Sequence, residues 1–326
     1  MRICIVTPAR PGSRSGNRNT AARWAAFLRA AGHRVRIEQT WSGAAADVLV
    51  ALHARRSHDS IAAYAARYPQ HPLVVVLTGT DVYRDIVHDA SAQRSLELAT
   101  KLVVLQDAAI DELAPRLRAK TRAIYQSARA VARAAPLATC FEFVVSGHLR
   151  AEKDPFRGAA ALAHIDTQSR AYVTHIGGAL DPGSDDEARA WMAREPRYRW
   201  LGELPHWRAM RMLARARAMV ISSRMEGGAN VVSEALTIGV PVIASDISGN
   251  IGMLGRDYPG YYAVGDERAL ADAMRRAESD PAYYARLEEA CRVRGKLVTV
   301  ERERGALESL IAALGTVRPA PEEVTG

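Results

Sequence analysis

Short, almost wholly apolar runs alternate with longer amphipathic stretches along this chain, and that alternation limits the folds open to it. The first half offers RICIVTP, RVRIE, DVLVAL, LVVVLTG, KLVVLQ and RAIYQ. Runs this apolar read as strands buried on both faces, the condition of a parallel sheet. Between them lie TAARWAAFLRAAG and YRDIVHDASAQRSLELA, with helical spacing. Thr20 is placed to cap the first and Gly32 to end it. Strand–helix alternation at this spacing makes βαβ units.

A seam interrupts the pattern at 127–139, SARAVARAAPLAT, small, Ala-rich and broken by Pro136. The alternation then restarts with FEFVVSG, AYVTHIG, YRWLG, RAMVISS, PVIAS and GYYAV. The expected fold class is α/β, two Rossmann-like parallel-sheet domains. The first spans 1–134 and the second 139–314, the latter ending in helices from Pro281 to Leu314. A disordered tail is expected over 315–326. Two such domains facing each other would take ligands in the cleft at the C-terminal ends of their strands.

Composition narrows the chemistry. The net charge is +8, and arginine supplies 40 of the 44 basic residues. The basic residues are scattered without interleaved aromatics, which argues against nucleic acid as a partner and favours small anions. No run of about 18 apolar residues appears, so no membrane span is expected. The start, MRICIVTPAR, is too short and strand-like for a signal peptide. Cys4, Cys140 and Cys291 are odd in number and far apart, which fits a reducing cytoplasm better than a disulfide framework.

Three stretches carry candidate chemistry. In SSRMEGGANVVSEAL a strand ends near Ser223 and a helix starts around Asn230. Gly227 and Gly228 let backbone approach a ligand, and the first helix amides attract oxygens. Glu226 before the helix and Glu234 one turn inside it suit hydroxyl groups, one on a sugar and one on a ribose. A flexible loop with a helix-start glutamate is the plainer alternative. In VVSGHLRAEKDPF, His148, Arg150 and Lys153 gather at a strand end, suiting a diphosphate; Asp154 and Pro155 are placed to open the next helix. A solvated basic turn is the alternative. In TPARPGSRSGNRNTAARW, Gly16, Asn17 and Arg18 lie in a loop without a dinucleotide or Walker spacing, a flexible cleft wall.

Further candidates follow the third and fourth strands: His53 and Arg55 with Arg56 in ALHARRSHDS, Thr80 and Asp81 in LTGTD. SDDEAR at 184–189 reads as a helix N-terminus rather than a metal pair. The histidines lack ligand spacing, so neither metal nor cofactor is expected.

Together these pieces resemble the retaining GT-B glycosyltransferases related to sucrose and mannosyl transferases. EGGANVVSEALTIGVPVIAS, 226–245, matches that family's E-G-x-G-x-x-x-x-E-A and G-x-P-V-x-A-S elements. The resemblance implies that Glu226 contacts the donor sugar, that the amides of Gly227, Gly228, Ala229, Asn230 and Val231 approach sugar and phosphate, and that Glu234 holds the ribose. GHLRAEKD keeps the family's lysine as Lys153 and places His148 at its arginine position, with Arg150 two residues on.

A similarity over nearly the whole chain, through ALHARRSHDSI, VVLTGTDVYRDI, GHLRAEKDPFR and GNIGMLGRDYPGYY, is to the selenosugar synthase family of selenoneine biosynthesis. LTGTD stands where ordinary relatives have LHGTD, and IYQSA where they have a PNGVD-like turn. That resemblance implies a UDP-sugar donor, UDP-N-acetylglucosamine foremost, and selenophosphate as acceptor, giving a 1-seleno sugar, UDP and phosphate. Lys153, Arg150 and Glu226 would be catalytic; Gly16, Asn17, Arg18, His53, Arg55 and Thr80 would hold the acceptor. It also implies links to selenophosphate synthetase and to the enzyme that uses the selenosugar. An alcohol-acceptor transferase, a UDP-sugar epimerase and a non-catalytic sensor remain open alternatives.

Overall fold

The computed structural model describes residues 1–13 and 15–315. The chain divides into two compact units, Met1–Gln126 with Val300–Gly326, and Ser127–Thr299. The boundary falls at the start of the Ala-rich seam.

In the first unit the order is β1 (Arg2–Val6), α1 (Gly16–Ala30), β2 (Arg34–Glu38), β3 (Val48–Leu52), α2 (His58–Arg67), β4 (Leu73–Val76), α3 (Ile86–His88), α4 (Ala90–Leu98), β5 (Lys101–Val104), α5 (Pro115–Arg118) and β6 (Thr121–Ala123). The second continues with β7 (Phe141–Ser146), α6 (Arg157–Leu162), β8 (Ala171–Ile176), α7 (Ser184–Arg194), β9 (Tyr198–Trp200), α8 (His206–Arg215), β10 (Ala218–Ile221), α9 (Asn230–Ile238), β11 (Val242–Ser245), α10 (Ser248–Leu254), β12 (Tyr261–Tyr262), α11 (Glu267–Ser279) and α12 (Pro281–Gly295). A last helix, α13 (Val300–Gly315), returns to the first unit.

Each unit has one six-stranded sheet, in the orders β2-β1-β3-β4-β5-β6 and β12-β11-β10-β7-β8-β9. Every strand pairing is parallel. The two doubly wound parallel sheets read from the sequence are therefore present. The strand order reverses between β1 and β3 in the first sheet and between β7 and β10 in the second. Connections leave such neighbours toward opposite faces and open a crevice at their carboxyl ends. No helix among the described residues is long and apolar enough to cross a membrane.

The structure corrects several boundaries. The second domain was expected to run to 314, but α13 packs into the first unit's core. Leu307, Leu310, Ile311 and Leu314 are buried with Ile3, Trp24, Leu28 and Val48. Burying four such side chains is worth roughly 1.5–3 kcal/mol each. Glu303, also buried, takes hydrogen bonds from Trp24 Nε1 and Arg23 Nε, both 2.8 Å, which pins the register. The expected tail lies outside the described residues apart from Gly315, which closes α13.

Helix α1 starts at Gly16, not at a Thr20 cap. Ser15 Oγ accepts the Arg18 amide, while Thr20 donates back to the Gly16 carbonyl inside the helix. The expected single helix over YRDIVHDASAQRSLELA is broken. A π-helical turn, Asp81–Asp85, leads into α3, and Asp89 caps a fresh start for α4 by accepting the Ala92 amide. Asp154 does not cap α6: it takes a left-handed conformation (φ 45°), and the helix begins at Arg157.

Candidate active site

A pocket sits at the switch point of the second sheet. Its walls are the ends of β7 (Val145, Ser146, Gly147) and β10 (Val220, Ile221, Ser222, Ser223), closed by Lys153, Pro155, His175, Glu226 and Val231. Loops leaving adjacent strands in opposite directions supply these residues, so the pocket follows from the topology.

Glu226 is its charged centre. It is buried, and its Oε1 accepts hydrogen bonds from Lys153 Nζ and Ser223 Oγ, each 2.5 Å. Hydrogen bonds to an ionised carboxylate are stronger than neutral ones and hold both side chains in place. The support behind them is continuous. Ser245 Oγ donates to the Ser223 carbonyl at 2.6 Å, and Asn250 Nδ2 donates to Ser245 Oγ at 3.1 Å. Ser222 Oγ lies 3.0 Å from the carbonyl of Lys153 and 2.8 Å from that of Asp154, tying the two loops together. Gly249 lets α10 abut this loop, for a Cβ there would fall 1.9 Å from the Glu226 carbonyl oxygen.

His175 shapes the other wall. It is fully buried, and its Nε2 is 3.0 Å from the Gly147 carbonyl while its Nδ1 is 3.0 Å from the Tyr198 hydroxyl. A carbonyl only accepts, so Nε2 carries the proton and Nδ1 accepts from Tyr198. Burial pushes the imidazole down to about 4, against a smaller opposing effect of the Gly147 carbonyl. Gly177 presses on the same carbonyl, 1.9 Å from where its Cβ would sit. The Gly147 turn is thus held from two sides.

Sequence reasoning expected His148, Arg150 and Lys153 to converge. The structure instead gives each its own partner. Lys153 reaches Glu226, Arg150 lies 3.3 Å from Glu152 Oε1, and His148 Nδ1 accepts the Gly178 amide at 3.1 Å. The expected helix does begin at Asn230, preceded by Gly227, Gly228 and Ala229. No side chain caps it, so its first amides, with Val231 lining the pocket, are left for a ligand or water. Glu234 lies one turn inside, its Oε1 3.8 Å from His206 Nδ1.

In the first unit the candidates fall at the carboxyl ends of β1, β3 and β4. Gly16, Asn17 and Arg18 form the first turn of α1. His53 is buried with a left-handed backbone (φ 75°), and its Nε2 lies 3.2 Å from Thr80 Oγ1. Its Nδ1 accepts the Arg56 amide at 3.4 Å, which leaves the proton on Nε2 for Thr80. Burial is the main cause lowering its pKa; Asp81 and Asp85 oppose this. Asp81 joins the two loops by accepting the amides of Thr78 and Gly79, both 2.8 Å, and of Ala54, 3.1 Å. Arg55, expected to hold the acceptor, is paired: its Nε is 3.2 Å from Asp85 and its Nη1 3.8 Å from Asp89.

Ser222, Ser223, His175 and Asn250 were not singled out from the sequence. The one available signal was His175 itself, a lone histidine in the apolar run AYVTHIG.

Two doubly wound parallel six-stranded sheets in these orders, with a polar pocket at a switch point, define the GT-B class of fold. Solved structures agree at low identity. Sucrose-phosphate synthase from Thermosynechococcus elongatus matches with a TM-score of 0.78 at 17% identity, covering 97% of this chain and 100% of that one. HepE from Anabaena, in complex with UDP-glucose, matches at 0.75 and 15%, covering 96% and 100%. The pneumococcal O-GlcNAc transferase GtfA, in complex with UDP and GlcNAc, matches at 0.62 and 15%, covering 83% of this chain and 56% of its own. Residues 137–294, which hold every second-unit candidate, match the family model for glycosyl transferases group 1.

Proposed function

We propose that the protein is a UDP-sugar-dependent glycosyltransferase whose acceptor is selenophosphate. The observation that carries the donor half is the convergence of Lys153 and Ser223 on Glu226 at the switch-point pocket, inside the glycosyltransferase segment. The UDP-glucose bound to HepE and the UDP and GlcNAc bound to GtfA support a UDP-sugar here, with UDP-N-acetylglucosamine as first choice.

In this reading the diphosphate lies against Lys153, Arg150 and the amides at the start of α9, which meet the charge on the leaving UDP. Fixed groups of this kind are usually a major catalytic contribution. Glu226 takes a sugar hydroxyl and keeps Lys153 extended into the pocket; Glu234 takes the ribose. The selenium of selenophosphate attacks the anomeric carbon as the bond to UDP breaks. Water then cleaves phosphorus from selenium, giving the 1-seleno sugar, UDP and phosphate. An anionic selenium nucleophile needs no deprotonation, so a strong general base is not required. The acceptor is assigned to the first unit, at His53, Thr80, Arg55 and the first turn of α1. Its identity rests on the sequence similarity through ALHARRSHDSI and VVLTGTDVYRDI. The leaving charge is assigned to protein groups rather than a divalent ion, so a chelator should leave the rate unchanged.

Product analysis tests the reading. Incubation with UDP-sugar alone should give no epimer, and addition of selenophosphate should release UDP, phosphate and a seleno sugar in equal amounts. UDP release only with an alcohol acceptor would keep the transferase and overturn the selenium chemistry.

A further inference from the structure

Three irregularities of the first unit fall on one spot. His53 holds a left-handed backbone although it carries a Cβ. The chain after β4 makes a single π-helical turn, Asp81–Asp85. Asp85, 5% exposed, ends that turn with its Oδ2 making no aligned hydrogen bond. Backbone irregularity and an unsatisfied buried oxygen are held by their surroundings where a site uses them.

What Asp85 does hold is two guanidinium groups. Arg55 Nε lies 3.2 Å from Oδ2, and Arg84 Nε lies 3.3 Å from Oδ1. Both arginines are attached through Nε, and their side chains are 43% and 49% exposed. Arg55 has a second, longer contact to Asp89 at 3.8 Å, but Asp89 uses its Oδ1 to cap α4. Arg84 has no further hydrogen-bond or ion-pair partner among the described residues. His53 Nε2 stands 3.8 Å from Asp85 Oδ2 behind them.

We propose that Arg55 and Arg84, seated on the buried Asp85, form a clamp for a phosphate-class oxyanion, with Asp85 as its positioning residue. This rests on reading the first unit as the acceptor side. Two cations tied to the two oxygens of one carboxylate repel each other, and an anion bound by both relieves that repulsion. The remaining N–H groups of each guanidinium match paired phosphate oxygens. Lysines, as point charges, would not offer that fork.

Calorimetric titration of inorganic phosphate into the full chain, saturated with UDP so that the second unit's phosphate site is filled, tests the clamp. Arg84→Ala and Arg55→Ala should each weaken phosphate about tenfold, or about 1.4 kcal/mol, with UDP affinity unchanged. Arg116→Ala, from an exposed pair with Glu97, should alter neither. Asp85→Asn decides the positioning role. Loss of a negative charge alone would tighten phosphate binding, whereas loss of the seat should weaken it about fivefold. In turnover, Arg84→Ala should raise KM for selenophosphate with kcat little changed. The clamp is overturned if wild type binds no phosphate beside UDP, if Arg84→Ala binds it as tightly as wild type, or if Asp85→Asn binds it more tightly. Failure of wild type to bind UDP would instead remove the donor assignment, and the same phosphate titrations run without UDP would still decide the clamp.

Discussion

Acidification should destabilise the second unit through His175 in a way that can be isolated. The imidazole is fully buried and held down to about 4, against an ordinary 6.5, chiefly by burial. Between those values the unfolded chain binds a proton that the folded chain refuses, so stability must fall as pH falls. The contribution is fully present above about pH 6.5 and lost on the way down to about 4. The gap between the two values corresponds to about 3 kcal/mol, of which about 2 kcal/mol is lost between pH 7 and pH 5. Carboxylates add their own acid destabilisation, so the comparison is between wild type and His175→Gln. Urea unfolding of each at several pH values, followed by tryptophan fluorescence, gives two curves. The variant should be less stable at pH 7, because the Gly147 carbonyl and Tyr198 hydroxyl lose their partner, and the two curves should approach each other by about 2 kcal/mol by pH 5. NMR of the histidine ring protons supplies the direct check. A difference between the curves that is independent of pH, or a His175 resonance titrating near 6.5, would refute the buried neutral imidazole.

The donor pocket should respond selectively. Lys153→Ala and Glu234→Ala should each lower turnover by about 100-fold, with circular dichroism unchanged; near-normal rates would remove the donor assignment. Glu226→Ala should change the ranking of UDP-sugars in competition assays as well as the rate, because it removes the proposed sugar contact and frees Lys153. Leu310→Ala in α13 should destabilise the first unit by about 2–5 kcal/mol in urea unfolding while UDP affinity, measured below the transition, stays at the wild-type value.

The strands were legible because a sheet covered on both faces leaves near-continuous apolar runs such as LVVVLTG, and their alternation with helices dictates parallel pairing. The loop between β10 and α9 was legible for a related reason: EGGANVVSEAL places glycines and acids where a strand hands over to a helix. The destination of α13 was not. Its amphipathic face fits any apolar sheet surface, and the choice is made by Trp24 and Arg23 meeting Glu303, partners some 280 positions apart. Nor could spacing show that Lys153 turns to Glu226 while Arg150 and His148 find other partners. Three basic residues within six positions look like one cluster until the left-handed Asp154 and the Ser222 hydroxyl set the path of the loop. The break in the expected helix after β4 was equally hidden, since Asp81 is consumed by backbone amides rather than facing solvent.

The return of α13 to the first sheet makes that unit discontinuous, and this orders events during synthesis. The ribosome delivers residues 1–126 first, yet the core cluster around Trp24 lacks its α13 side chains until residues 300–315 emerge. The second unit, wholly contained in 127–299, is complete earlier. The half of the chain made first is therefore finished after the second unit, and until α13 emerges it carries an apolar face and two unanswered donors, Trp24 Nε1 and Arg23 Nε, in the nascent polypeptide.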